Sequence, residues 1–463
     1  MEEERLQVNK KMLLAISMLS SFLNPFRAAA INIALPKIGQ HFSMNAVYMS
    51  WIAMSFLLAS AVILVPMGKL ADIFGRKRIF LYGNIVVAIA STLCSIAPSA
   101  TMLIIFRVLQ GIGSAMIFGT IMALVTSAFP PGERGRFIGL NVTATYFGLS
   151  IAPVLGGYIT QMLGWRVLLF ITMPFTLLTI ILTMIYLKVE WRGAQDEKFD
   201  YNGSLIYILA MSAFMLGFSR LPDPMAIAVT TAGFAGLVFF VSLELRTTFP
   251  VLNIQLFAKN RVFAFSNLAA LINYAATFAI SFVLSLYLQY AKGLSPKDTG
   301  LILMVQPVLM AGFASVAGRM SDTYDSRILS SVGMGIIVIG LVMLSFLDGT
   351  TGTSYLVISQ VILGAGFGIF SSPNTNSVMG SVDRKYLGIA SAMVSTMRIT
   401  GQMMSMGIAT MIIHVFIGNA KISIQNAQAF NGSVKIIFLV FSVLCLLGVF
   451  ASLARGKKVA TGN

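Results

Sequence analysis

Charge is scarce in this chain. Only 10% of its 463 residues are Asp, Glu, Lys or Arg, against roughly 25% in ordinary soluble domains. Hydrophobic residues make up 57%, and the mean hydropathy is +0.86. That balance excludes a set of soluble domains, because apolar runs of about 20 residues, each long enough to cross a hydrocarbon core roughly 30 Å thick, recur from end to end. Cysteine is limited to Cys94 and Cys445 and histidine to His41 and His414. Both cysteines lie inside apolar runs, where they pack as small hydrophobes, which excludes a disulfide framework and a metal cluster. An enzyme would need His, Cys, Asp or Glu clustered at catalytic spacing, and no such cluster is present. A phosphate-cradling GxxxxGK[ST] loop is also lacking, so the energy source is read as a gradient and not ATP, and no cofactor is implied. None of the 16 acidic residues sits at the centre of an apolar run.

Positive charge, by contrast, is in surplus, with a net charge of +16. It falls in short clusters between apolar runs, GRKR (75–78), GERGR (132–136), RK (384–385) and RGKK (455–458), and forms no continuous patch for nucleic acid. The clusters alternate with basic-poor loops such as APSAT (97–101) and DGTTGT (348–353), a bias that puts both termini in the cytoplasm. The opening MEEERLQVNKK lacks a small-residue cleavage pattern after its apolar run and reads as a cytoplasmic tail.

Apolar runs bounded by charge or turn residues give fourteen spans, near 12–34, 47–70, 79–98, 101–127, 137–160, 165–187, 203–220, 225–245, 262–290, 299–320, 328–347, 354–376, 387–412 and 434–454. The runs are continuous and not alternating, and an unclosed strand cannot satisfy its backbone in lipid, so the expected fold is all-α and polytopic.

After the second span comes GKLADIFGRKR, from Gly68 to Arg78. After the tenth comes GRMSDTYDSR, with Gly318 and Asp322 in the slots of Gly68 and Asp72, 250 residues on. Two adjoining six-helix halves would repeat nearer 200 residues, and the surplus matches the two short spans around residues 203–245. The expected domains are therefore an N-terminal six-helix bundle (1–195), two additional helices (196–250) and a C-terminal six-helix bundle (251–463). Duplicated halves are a transporter design with a substrate site between them near the midplane. Within that design Gly68, Asp72 and Arg76 read as a cytoplasmic gate. Glycine lets helix ends approach closely, while Asp72 caps a neighbouring helix or pairs with a loop arginine.

Here the sequence resembles the major facilitator superfamily, in particular its fourteen-helix drug:proton antiporter branch, along nearly the whole chain. RVLQGIGSA (107–115) resembles the family's fourth-helix motif, GLSIAPVLGG (148–157) its antiporter motif with Ala152 in a usual glycine slot, and INIALP (31–36) the end of its first helix. The resemblance implies alternating access, a small organic substrate, a bilayer setting in a prokaryotic inner membrane and a monomer. It implies gating or coupling roles for Arg107, Gly148, Pro153, Gly157 and Asp322, with protons as the family's coupling ion. Physically, Pro153 removes a helix hydrogen bond and the glycines give a smooth packing face.

The charges within spans are Arg27, Arg107 and Arg398, all positive. A mid-membrane arginine costs about 2.5–3.5 kcal/mol on insertion scales. Three readings stay open for Arg27: snorkelling to outer headgroups, capping carbonyls freed by Pro25, or facing a cavity where its fork meets carboxylate or phosphate. Asn24, Asn273, Tyr274, Gln306 and Arg398 are the further candidate substrate contacts, and SSPNTN (371–376) is read as closing the twelfth span at the cytoplasmic mouth. The absence of a mid-span carboxylate tilts the substrate expectation toward exported amphiphiles with an anionic group, against cationic drugs exported in exchange for protons. A channel is the remaining alternative, and would need a filter or charged pore ring.

Overall fold

In lipid, a chain segment must satisfy its own backbone, and long apolar stretches do so as helices. The computed structural model describes residues 9–129, 134–194, 197–221, 223–252, 254, 257, 260–382, 387–418, 420, 422 and 426–456, without the side chains at 126, 134–136, 138, 322, 387–389, 391–392 and 427. Among the described residues, 14 helices are long and apolar enough to span a membrane. These are α1 (Lys10–His41), α2 (Ala46–Phe74), α3 (Arg76–Ser95), α4 (Ala100–Ala128), α5 (Arg134–Met162), α6 (Trp165–Phe170 and Thr172–Tyr186), α7 (Tyr201–Phe218) and α8 (Pro224–Glu244). Then follow α9 (Arg261–Thr277 and Ile280–Leu286, ending in a π-turn Tyr287–Ala291), α10 (Pro296–Leu303 and Val305–Thr323), α11 (Ser326–Ser345), α12 (Thr353–Met379), α13 (Leu387–Ile417) and α14 (Ala427–Ala454).

Local chemistry sets the helix starts. Side-chain oxygens of Asn9, Ser99, Asp223, Asn260, Ser295 and Asp325 accept first-turn N–H groups of α1, α4, α8, α9, α10 and α11, relieving donors that have no partner within the helix. Inside the helices, serine and threonine hydroxyls turn back onto the preceding turn, as Thr176 does onto Thr172 at 2.8 Å and Thr277 onto Asn273 at 2.8 Å.

The chain forms two units, the first built by α1–α8 and the second by α9–α14. The two units repeat one packing scheme. In the first, α1 packs on α5 and α3 on α4; in the second, α9 packs on α13 and α11 on α12. Glycines decide the contacts, because without a side chain one backbone can reach another. A Cβ on Gly111 of α4 would lie 2.4 Å from the Phe56 carbonyl oxygen of α2, and one on Gly364 of α12 would lie 2.4 Å from the Gln306 carbonyl oxygen of α10. A Cβ on Gly113 would lie 2.8 Å from the Gly83 carbonyl oxygen, as one on Gly366 would lie 2.8 Å from that of Gly333. A Cβ on Gly148 would lie 2.4 Å from the Phe22 carbonyl oxygen, as one on Gly401 would lie 2.5 Å from that of Leu271. The α7–α8 pair packs on itself, and Tyr207 Oη donates to the Ala61 carbonyl at 3.2 Å, fastening α7 to α2.

One expectation is corrected. SSPNTN does not close the twelfth span: α12 runs through it to Met379 with Pro373 inside the helix. Tertiary hydrogen bonds hold this stretch helical. Asn374 Nδ2 donates to the Ser266 carbonyl of α9 at 3.1 Å, and its Oδ1 accepts from Arg455 Nη1 at 3.2 Å.

Candidate functional site

Arg27 leaves the α1 axis toward α6. Its Nη1 donates to Thr176 Oγ1 at 3.1 Å and its Nη2 to Asn24 Oδ1 at 2.5 Å. Asn24, fully buried, also accepts from Ser114 Oγ of α4 at 3.0 Å. Arg27 is 6% exposed, and its described partners are a hydroxyl and an amide, not the carbonyls next to Pro25.

Arg107 of α4 is 1% exposed. Its Nε donates to the Ile52 carbonyl at 3.0 Å, its Nη1 to Gln110 Oε1 at 2.5 Å, and its guanidinium lies 4.5 Å from the Phe56 ring centre. Gln110 is fixed in turn by Ser91 Oγ at 2.8 Å. Both arginines line one cavity of about 10 Å³, walled by Phe26, Ile31 and Leu168, with no carboxylate in its lining. That is room for about one water centre. Two like charges buried together, with no counter-charge in the lining, leave a deficit of negative charge that an acidic group could meet only in a conformation where this one-water space is wider. Arg27 Nε and Arg107 Nη2 each lack a hydrogen-bond partner among the described residues.

The gate segment is tied down by a stretch to which the sequence assigned no role, residues 187–194 and Glu197. Asp72 meets Arg76 one turn on, with Nη2 2.7 Å from Oδ1. Arg76 Nη1 reaches the Ala123 carbonyl at 3.3 Å and the Ser127 hydroxyl, both on α4. The Asp72 carbonyl accepts from Gly193 and Ala194 at 2.9 and 3.1 Å, and the Arg76 N–H donates to Trp191 at 2.9 Å. Lys69 pairs with Glu197, and Glu190 accepts from the Lys77 N–H at 2.9 Å. Burial pushes the Glu190 carboxyl above its ordinary value, against the opposing pull of the Lys77 N–H and the Arg78 and Lys77 charges. A Cβ on Gly68 itself would meet nothing within 4 Å, while its backbone lies beside Gly119 of α4, where an added Cβ would stand 3.5 Å from the Gly68 Cα and N. The second copy differs. Ser326 stands where the first has Arg76, Asp325 caps α11 through the Arg327 N–H at 2.8 Å, and Asn376 Nδ2 donates to Ser321 Oγ at 2.6 Å. The Asp322 side chain lies outside the described residues.

Pro153 and Gly157 are buried within an unbroken α5. In the second unit Asn273 is fully buried, and both atoms of its amide lack a partner among the described residues. Tyr274 meets Phe367 edge to face at 5.5 Å and packs its Cβ by Gly401. Gln306 is half-buried on α10, and Arg398 half-buried on α13. The structure thus brings Arg27, Asn24 and Arg107 together. Thr176, Gln110 and Glu190 escaped the sequence reading, because a threonine on an apolar helix and a glutamate in a linker carry no signal of their partner.

The Major Facilitator Superfamily profile matches residues 17–265 and 266–461. The chain belongs to the major facilitator superfamily. Its facilitator relatives include the riboflavin transporter RibZ of Clostridioides difficile, 28% identical over 392 residues, covering 84% of this chain and 85% of that one. The multidrug resistance protein Stp of Mycobacterium tuberculosis is 28% identical over 380 residues, 81% of this chain and 70% of that one. Among solved structures, the chain superposes on a bacterial homologue of the human lysosomal transporter Spinster, in its inward-facing, unoccupied conformation, with a TM-score of 0.67 at 16% identity, over 96% of this chain and 97% of that one. The nucleoside transporter NupG superposes with a TM-score of 0.63 at 14% identity, over 97% and 100%. This facilitator is therefore a multi-pass membrane transporter for small molecules and not an enzyme.

Proposed function

We propose that this facilitator works by alternating access and exports amphiphilic organic compounds bearing an acidic group across the bacterial plasma membrane, with both termini cytoplasmic. The observation that carries the reading is the pair Arg27 and Arg107 on one cavity without a carboxylate in its lining. A desolvated guanidinium with a free N–H binds carboxylate or phosphate strongly. On the second unit, taken by itself, the candidate polar contacts are Asn273, whose buried amide lacks a hydrogen-bond partner among the described residues, with Tyr274, Gln306 and Arg398. The Asp72–Arg76 pair strapped by residues 190–194 and Glu197 serves as the gate, together with Gly68, Asp322 and the glycine face of α5. Basic clusters on alternate loops support the orientation.

The test is thermal stabilisation of purified protein by anionic, zwitterionic and cationic amphiphiles, on wild type and Arg27→Gln, since a ligand that binds the folded state raises its stability. Stabilisation by anions that is lost in the variant is the expected result. Stabilisation by cations alone, equal in both proteins, overturns the reading in favour of proton-coupled export of cationic drugs, the class to which the multidrug-resistance relatives point. Unitary currents in planar bilayers would make the protein a channel.

A further inference from the structure

The two additional helices carry a feature that neither the gate nor the arginine cavity uses. Glu244 ends α8 and is 3% exposed; Asp200 immediately precedes α7 and is half-buried. Each carboxyl spends one oxygen on a backbone donor. Asp200 Oδ1 accepts the Gly203 N–H at 2.8 Å, capping α7, and Glu244 Oε2 accepts the Leu252 N–H at 2.8 Å, holding the connection that leads on to α9. The other oxygen of each, Asp200 Oδ2 and Glu244 Oε1, lacks a hydrogen-bond donor among the described residues. Both converge on one spot over Gly203, where an added Cβ would lie 2.3 Å from the first and 2.5 Å from the second.

Two ionised carboxylates cannot share that spot, because both are acceptors and both are negative. One proton between them resolves the conflict: it makes one carboxyl a donor, removes the repulsion and satisfies both orphaned oxygens. We propose that Asp200 and Glu244 form a proton-binding site, in which a single shared proton clasps the start of α7 to the end of α8. Loss of that proton opens the clasp and frees Leu252. The charged or titratable neighbours in sequence, Lys198, Tyr201 and Arg246, are exposed and make no described hydrogen bond or ion pair with either carboxyl. Asp200 is the charged side chain that acts on Glu244 among the described residues.

The sign follows from linkage. In the unfolded chain both carboxyls ionise near about pH 4. Glu244, buried and facing Asp200, keeps a proton the unfolded chain has lost, so stability is full at acid pH and falls as pH rises through the release of that proton. The experiment is thermal unfolding of the full-length protein in detergent from about pH 5 to about pH 9, on wild type, Glu244→Gln and Asp200→Asn, with infrared detection of a protonated carboxyl. An amide at either position donates permanently to the opposite oxygen. The expected result is a wild-type melting temperature that drops by several degrees over this range, a markedly flatter profile in both variants, and a carboxylic-acid C=O band in wild type that Glu244→Gln removes. Parallel profiles for the three proteins, or a wild type without that band at acid pH, overturn the proposal; the infrared arm stands even if a variant does not fold. Stabilisation of wild type by millimolar Mg²⁺ or Ca²⁺ at alkaline pH, absent from both variants, would also overturn it by making the pair a cation site.

Discussion

Gly148 of α5 lies so close to Phe22 of α1 that an added Cβ would stand 2.4 Å from the Phe22 carbonyl oxygen. The contact is backbone against backbone, so no rotamer change relieves it. Its counterpart, Gly401 against Leu271 at 2.5 Å, shows that both halves of the duplicated fold use the same device. Helices in lipid gain little from burying apolar surface against each other, so close backbone approach supplies much of the attraction.

Gly148→Ala should therefore destabilise the protein by about 1–3 kcal/mol through overpacking, and Gly401→Ala by a similar amount. Gly68→Ala, with open space where its Cβ would stand, should not lose more than about 0.5 kcal/mol relative to wild type. Denaturant unfolding of the three purified variants checks this. Equal changes at all three positions, or a gain at all three as helix propensity alone would give, would contradict the contact account.

Gly75 starts α3 with φ of 128°, and a Cβ there would come 2.5 Å from the Glu190 carboxyl carbon. Gly75→Ala should cost about 1–3 kcal/mol in backbone strain and also push Glu190 off the Lys77 N–H. Combining it with Glu190→Ala should recover the clash but not the strain. A double variant as stable as wild type would contradict the strained-turn account.

Arg107→Lys keeps the charge and loses the fork. A single ammonium cannot reach the Ile52 carbonyl and Gln110 with the geometry of a guanidinium. Each charged hydrogen bond is worth about 1.5–3 kcal/mol, so a melting temperature several degrees lower and a loss of substrate-induced stabilisation are expected. Wild-type behaviour in both measurements would mean that charge alone suffices at this position.

Asn273 is buried with an amide that lacks a hydrogen-bond partner among the described residues, which costs about 1–3 kcal/mol to leave in place. Asn273→Leu, of similar volume, should leave stability unchanged or raise it, while slowing transport in proteoliposomes. A marked fall in stability would reveal that an ordered water partners the amide.

The sequence by itself determined the helices and the duplication. Lipid forces every apolar run into a helix, so hydropathy is enough to count 14 of them, and the Gly68 and Gly318 copies lie far enough apart to imply two inserted helices. The arginines stood out as well, because charge in an apolar run is visible without a fold. Partnership was decided only in three dimensions. Arg27 and Thr176 lie 149 residues apart, and one threonine on α6 looks like its neighbours Thr172 and Thr179 until α6 packs beside α1. Glu190 and Gly193 read as linker, and Asp200 and Glu244 as ordinary helix ends, because a hydrogen bond depends on a few tenths of an ångström set by packing and not on residue type. SSPNTN carries helix-breaking residues, yet Arg455 and Ser266 hold Asn374 in α12, so tertiary bonds outweigh local preference there.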